Sequence, residues 1–380
     1  MSPSRYDVTL NTPYTGSATG HPGWEAGCPE ALRGGMAIAV WQSAERTKRV
    51  RRAMPALQPV AADARPPGWA PPWRESLLDQ VAGVLAARQL PGAAVTTALG
   101  VPRFVHGQSQ GICDLFGARV EKQDDGNFYV YPLTPDPAAI DAVRPAPLEQ
   151  SICWGAVEWI RYARLATGGA FEFKNPVMTG PFDTANYLLG TITLMEWVYA
   201  EPDALHRLLD KTTSVIIGML RALRQAAGGI LHGDALLCMR NAFCLCSECR
   251  SLVSAEVYEE FEAPYLARIG RELGSYGIHS CGSWERTIPS ALKDPNLRAM
   301  NGQIRENDLE LLCRLADGKL LLSIGRSQLL PERYTWPDAE SFYSHILRTV
   351  PESQPCEIGL PEDDLDLWKR LFRQIRKTNP

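Results

Sequence analysis

From about residue 175 onward the chain alternates short apolar runs with helical segments, and this rhythm constrains the fold more than any other feature. Runs at 229–237, 276–281, 297–303, 319–325 and 355–360 each lead into a stretch of helical periodicity. Strands joined through helices run parallel, because the helix carries the chain back to the starting edge of the sheet. "GAAVTTALG" (92–100) and "NPVMTG" (175–180) supply earlier strands. A closed (βα)8 barrel and an open doubly wound sheet both suit the pattern. Open sheets that bind dinucleotides or phosphates carry G-x-G-x-x-G or G-x-x-x-x-G-K-[ST], and neither occurs here. An α/β fold of the (βα)8 TIM-barrel type is the expectation.

Local signals place the helices. Pro181 opens one that Asp183 is expected to cap, running through "TANYLLGTITLMEWVYA"; a second starts at Pro202 and stops at Gly228-Gly229. Ser254 is the expected N-cap of a third, with Val257, Phe261, Tyr265, Ile269 and Leu273 along one face and Pro264 as a break. Asp125-Gly126 within "EKQDDGNFYVYPL" (121–133) predicts a two-residue hairpin turn. Residues 1–75, rich in Pro, Gly, Ala and Arg, read as an N-terminal extension packing on the barrel, with residues 76–380 as the (βα)8 catalytic domain.

Charge narrows the partners. Lys plus Arg number 39 against 43 Asp plus Glu, a net charge of −4, so no footprint for nucleic acid is present. "RTKRVRR" (46–52) reads as a solvated helix face, with docking of an acidic partner as the alternative. No apolar run has the roughly 18 to 20 residues of a membrane span, and the first residues lack a signal-peptide layout, so a cytoplasmic protein is expected. Ten cysteines in a reducing compartment read as thiols, metal ligands or small buried hydrophobes rather than disulfides.

Barrel chemistry collects at the C-terminal ends of strands. The late strands end in Asp234, then His279 and Cys281, then Asn301 and Gln303, then Ser323 and Arg326, then Cys356 and Glu357. His279-x-Cys281 on a strand points both side chains to one face. Cys356, read as following the last strand, would lean over the same mouth. Two sulfurs and an imidazole make a zinc site with an open fourth position, and its electron-rich metal suits thiol alkylation better than hydrolysis. The bland alternative is a buried cysteine beside a satisfied histidine. Asp234 reads as a substrate hydrogen-bonding group or proton relay, or as a plain loop carboxylate, while His232 reads as ordinary. Glu357 and Gln354 flank Cys356 as groups that could orient ligands. "CMRNAFCLCSECRS" (238–251) carries Cys238, Cys244, Cys246 and Cys249 at a spacing that matches no metal motif, and reads as a long βα loop with reduced thiols, a second metal being the alternative.

The segments "GPFDTANYLLG" (180–190), "LVSAEVYEEFEAPYLARIGRELG" (252–274), "IHSCGS" (278–283) and "QPCEIGLPEDDLDL" (354–367) resemble, in order and spacing, the uroporphyrinogen decarboxylase superfamily. Within it they look like the zinc-dependent, corrinoid-linked methyltransferases, which include methylcobalamin:coenzyme M methyltransferases and O-demethylases. The resemblance covers roughly residues 80–375 and is strongest after 175. It implies a (βα)8 barrel with zinc held by His279, Cys281 and Cys356, and a methyl group moved between a corrinoid (methylcobalamin or a corrinoid protein) and a small thiol or methoxylated substrate. A carboxylate at the position of Asp234 also resembles family members. The Arg-Gln-Ala-Gly-Arg stretch by which true decarboxylases grip propionates is missing. That counts against a tetrapyrrole decarboxylase, which stands as the alternative together with a non-catalytic zinc-binding relative.

Overall fold

The computed structural model describes residues 36–41, 44–54, 56–66, 69–87, 98–124, 127–133, 136–233, 241–302, 304–325 and 336–376. In chain order these form β1 (Met36–Trp41), α1 (Ala44–Ala53), α2 (Pro71–Ala87), β2 (Ala98–Leu99), β3 (Arg119–Lys122) and β4 (Phe128–Tyr131). Then come α3 (Trp154–Thr167), β5 (Glu172–Lys174), α4 (Pro181–Leu189), α5 (Thr191–Ala200), α6 (Pro202–Ala226), β6 (Leu231–His232) and β7 (Phe243–Cys246). The chain continues through α7 (Ala255–Phe261), α8 (Ala263–Leu273), β8 (Tyr276–Ser280), α9 (Ile288–Ala291), β9 (Leu297–Gly302) and α10 (Leu309–Ala316). It closes with β10 (Leu321–Gly325), α11 (Ala339–Thr349), β11 (Cys356–Pro361) and α12 (Leu365–Arg376).

Parallel pairing organises the main body. A 6-stranded sheet runs β1-β11-β10-β9-β8-β7, and a 3-stranded sheet runs β2-β5-β6. Asn175, directly after β5, joins the two: its side chain accepts from Cys244 N (3.0 Å) and donates to the Cys244 carbonyl (3.0 Å). Thr179 adds an isolated parallel bridge to Cys246. The molecule is thus α/β, and among the described residues its strands connect as two linked parallel sheets rather than one continuous hydrogen-bonded ring. Most residues of β7, β8, β9 and β11 are buried, as befits strands covered on both faces.

Several expectations are met and others corrected. Ser254 caps α7, its Oγ accepting from Val257 N at 3.3 Å, and the break at Pro264 falls where α8 begins. α6 spans Pro202 to Ala226, followed by Gly228 and Gly229 at positive φ. The helix after Pro181 is split at Gly190, whose φ of 79° belongs to no helix. Asp183 lies inside the first turn of α4 instead of capping it, because its carboxylate is engaged elsewhere. "NPVMTG" forms only the Thr179 bridge; β5 precedes it. The cysteine-bearing stretch expected as a loop contains β7, since "FCLC" is a run of small and apolar side chains that suits a covered strand. β3 and β4 pair as foreseen, from Arg119 with Tyr131 to Lys122 with Phe128, while the expected turn at Asp125-Gly126 lies outside the described residues. Within the expected N-terminal extension, β1 pairs with β11 along its length, from Met36 with Cys356 to Trp41 with Pro361. Among the described residues no helix is long and apolar enough to cross a membrane.

Candidate metal centre

β7 and β8 lie side by side, with Cys246 in register with His279. The chain leaving β8 is held tightly. Gly282 passes Ser251 so closely that a Cβ there would lie 2.4 Å from that residue's Cβ, so only glycine fits. Trp284, fully buried, donates its indole N–H to the Ser280 carbonyl (3.1 Å) and covers Gly302 at the end of β9. These contacts place Cys281 just beyond the strand on the face that His279 occupies.

Glu248 meets that pair from the turn that follows β7. Its Oε2 accepts from Cys281 N at 2.7 Å, and its Oε1 lies 3.4 Å from His279 Nε2. Cys281 Sγ lies 3.4 Å from the same Nε2. One ligand atom from each of Glu248, His279 and Cys281 falls within 4.8 Å of the others. The spacing suits one tetrahedral ion, since zinc bonds of about 2.0–2.3 Å put neighbouring ligand atoms roughly 3.4–3.6 Å apart. A nitrogen, sulfur and carboxylate set fits zinc and not the all-oxygen shells of magnesium or calcium.

The imidazole is oriented from behind by a chain of hydrogen bonds along one row of the sheet. His279 pairs with Asn301, Asn301 with Ser323, and Ser323 with Glu357. Asn301 Oδ1 is 2.6 Å from His279 Nδ1, Asn301 Nδ2 donates to Ser323 Oγ (2.9 Å), and Ser323 Oγ donates to Glu357 Oε1 (2.9 Å). The amide of Asn301 gives the chain its direction: with its nitrogen donating to Ser323, its oxygen must accept from His279 Nδ1–H. Nε2 is then left with a lone pair facing Glu248 and Cys281.

A buried layer beneath supports Glu248. Asp183 accepts from the backbone N–H groups of Glu248 (2.7 Å) and Cys249 (2.9 Å), which fixes the turn following β7. Burial pushes the Asp183 carboxyl up to about 6, against the pull of those two donors. Glu262 accepts a short hydrogen bond from Ser247 Oγ, and its burial raises it to about 7 although Arg250 opposes the shift. The Cys249 thiol is pushed up strongly by burial and then by Asp183, so it stays a neutral hydrophobe.

The structure brings His279 and Cys281 together and does not bring Cys356 to them. Cys356 opens β11 instead of following it, and no ligand cluster among the described residues contains it. Strand alternation turns its side chain to the face opposite that of Glu357, which belongs to the His279 row. Asp234, Cys238, Gln303 and Arg326 lie outside the described residues. His232 binds Glu172 through Nε2 at 2.7 Å, as an ordinary paired histidine would. Gln354 donates to the Leu320 and Pro355 carbonyls and accepts from Gly318 N, serving the entry to β11 and not the centre. Glu248 carries no signal in the sequence: its approach depends on the β7–β8 register, which local spacing does not reveal.

Residues 112–305, just over half of the chain, match the uroporphyrinogen decarboxylase (URO-D) family. The chain belongs to that family. This uroporphyrinogen decarboxylase family member is similar to the methylated-thiol–coenzyme M methyltransferase of Methanosarcina mazei, with 29% identity over 115 residues. That stretch is 30% of the present chain and spans only 29% of the relative's length. Its fold is shared with a solved methyltransferase from Methanosarcina mazei at a TM-score of 0.60 and 15% identity, covering 91% of this chain and 95% of the other. The family membership and the fold likeness together place the parallel sheets in the α/β barrel class expected from the alternating pattern.

Proposed function

We propose that the protein is a zinc-dependent methyltransferase that moves a methyl group between a corrinoid, as methylcobalamin or on a corrinoid protein, and a small thiol or methoxylated substrate. The observation that carries this reading is the convergence of Glu248, His279 and Cys281 at the C-terminal ends of adjacent parallel strands, where barrel folds place their chemistry. The relative named for a methylated thiol and coenzyme M supports the thiol form.

Bound zinc would supply Lewis acidity, keeping a thiol substrate deprotonated at neutral pH or polarising a methoxyl oxygen. His279 offers a lone pair on Nε2 because Asn301 Oδ1 accepts a hydrogen bond from Nδ1–H and so keeps the proton there, and Cys281 offers its sulfur from the same face. Glu248 is the exchangeable member. Its Oε2 accepts from Cys281 N–H, while Oε1, beside His279 Nε2, would hold the ion until a substrate thiol arrives and could then take that thiol's proton. Asp234 is assigned to hydrogen bonding the substrate on the family resemblance alone.

Metal analysis followed by spectroscopy tests this. Purified protein should carry about one zinc per chain, and with methylcobalamin and a panel of small thiols it should convert the methylcorrinoid spectrum to that of the demethylated form. His279→Ala should lose both properties. A zinc-free protein, or zinc-loaded protein that neither demethylates methylcobalamin with any thiol nor methylates cob(I)alamin from methoxylated compounds, would refute the proposal.

A further inference from the structure

The centre described above contains one sulfur, and Cys356, the cysteine expected to supply the second, is buried in β11 with its side chain on the face opposite Glu357 and the His279 row. Another sulfur stands on the neighbouring strand, at Cys246 of β7. Among the described cysteines, Cys113, Cys153, Cys244, Cys249, Cys313 and Cys356 are buried, and only Cys281 and Cys246 reach solvent.

Two observations place Cys246 on the His279 face. The backbones of β7 and β8 run parallel with Cys246 opposite His279, so the two side chains leave the sheet on the same side about 4.8 Å apart at the backbone. Ser247, the next residue, points the other way: its Oγ binds Glu262 at the start of α8, in the helical layer. Alternation then sends Cys246 inward, immediately before the turn that delivers Glu248.

We infer that Cys246 is a permanent metal ligand, so that the centre is a His-Cys-Cys set built from the adjacent strands β7 and β8, with Glu248 as the carboxylate that yields to substrate. This deepens the zinc reading above and rests on it. The Cys246 sulfur lies outside the three-atom cluster, and a change of χ1 rotamer moves a cysteine sulfur by about 3 Å. Two thiolates also neutralise the dication, which preserves the nucleophilicity of a third, incoming thiolate. The Cys246 proton leaves to solvent on metal binding, as for any thiolate ligand.

Cobalt(II) reports thiolate ligands through sulfur-to-metal charge transfer in the near ultraviolet, independently of any turnover. The full chain reconstituted with cobalt(II) should show this absorption, and Cys246→Ser and Cys281→Ser should each reduce it to about half, while Cys356→Ser leaves it unchanged. Unchanged absorption in Cys246→Ser, with loss in Cys281→Ser, overturns the Cys246 assignment and leaves the zinc reading standing. No charge-transfer absorption in the unaltered chain overturns both. A second measurement avoids substitution: zinc-loaded and chelator-treated protein are alkylated in the native state, and the labelled cysteines mapped by mass. Zinc should protect Cys246 together with Cys281, and equal labelling of Cys246 in the two states would refute the assignment.

Discussion

At the scale of single residues, the orientation of His279 depends on a neutral side chain. Asn301 both accepts from the imidazole and donates to Ser323, so replacing it removes the reason for the proton to sit on Nδ1. Asn301→Ala is expected to weaken zinc binding about 10- to 100-fold, the usual cost of losing an outer partner of a ligating histidine, as read by competition with a chromogenic chelator. Gly302 sets a different limit, because a Cβ there would sit 2.0 Å from Trp284 Cζ2 and 2.2 Å from the Ser280 carbonyl oxygen. Gly302→Ala should therefore cost about 1–3 kcal/mol in denaturant unfolding by overpacking, and should also loosen the loop that carries Cys281. Of the centre, the His279-x-Cys281 pair was legible because strand alternation needs only local spacing. The partnership of Glu248 was not, since it is decided by which strand lies beside β8.

Among the elements, the junction of α7 and α8 against β7 carries a pH dependence. Glu262, raised to about 7 by burial, has a folded-state value above the roughly 4.3 of an unfolded chain. A carboxyl raised in this way favours the fold while protonated, so its contribution is complete below the unfolded value and is lost as pH rises through about 7. Asp183, raised to about 6, acts in the same direction over a lower window. In metal-free protein, unfolding free energy should fall between about pH 4 and 7, and Glu262→Gln should flatten that slope in a series of denaturant titrations. Helix boundaries in this region were legible from Ser254 and Pro264, whose backbone effects are local. β7 was misread for the opposite reason: a cysteine counts as a ligand or a thiol in sequence, and becomes a small hydrophobe only when a covered sheet is already known.

Taken as a whole molecule, the fold and the centre are coupled through the sheet. Metal binding only to the native state stabilises it by about 2.7 kcal/mol when free zinc exceeds its dissociation constant a hundredfold. Chemical unfolding with and without zinc should show that increment in the unaltered chain and none in His279→Ala. The α/β barrel class was legible because strand and helix alternation is a global rhythm, whereas the strand β1 beside β11 was hidden in a stretch whose composition suggested an appendage. The row from His279 to Glu357 crosses four strands at matching registers. A slip of one residue in β9 or β10 would turn Asn301 or Ser323 to the far side and leave the imidazole free to spin. Misassembled copies would then be poor at capturing an ion, so occupancy in a preparation doubles as a gauge of how many chains have threaded their sheet correctly.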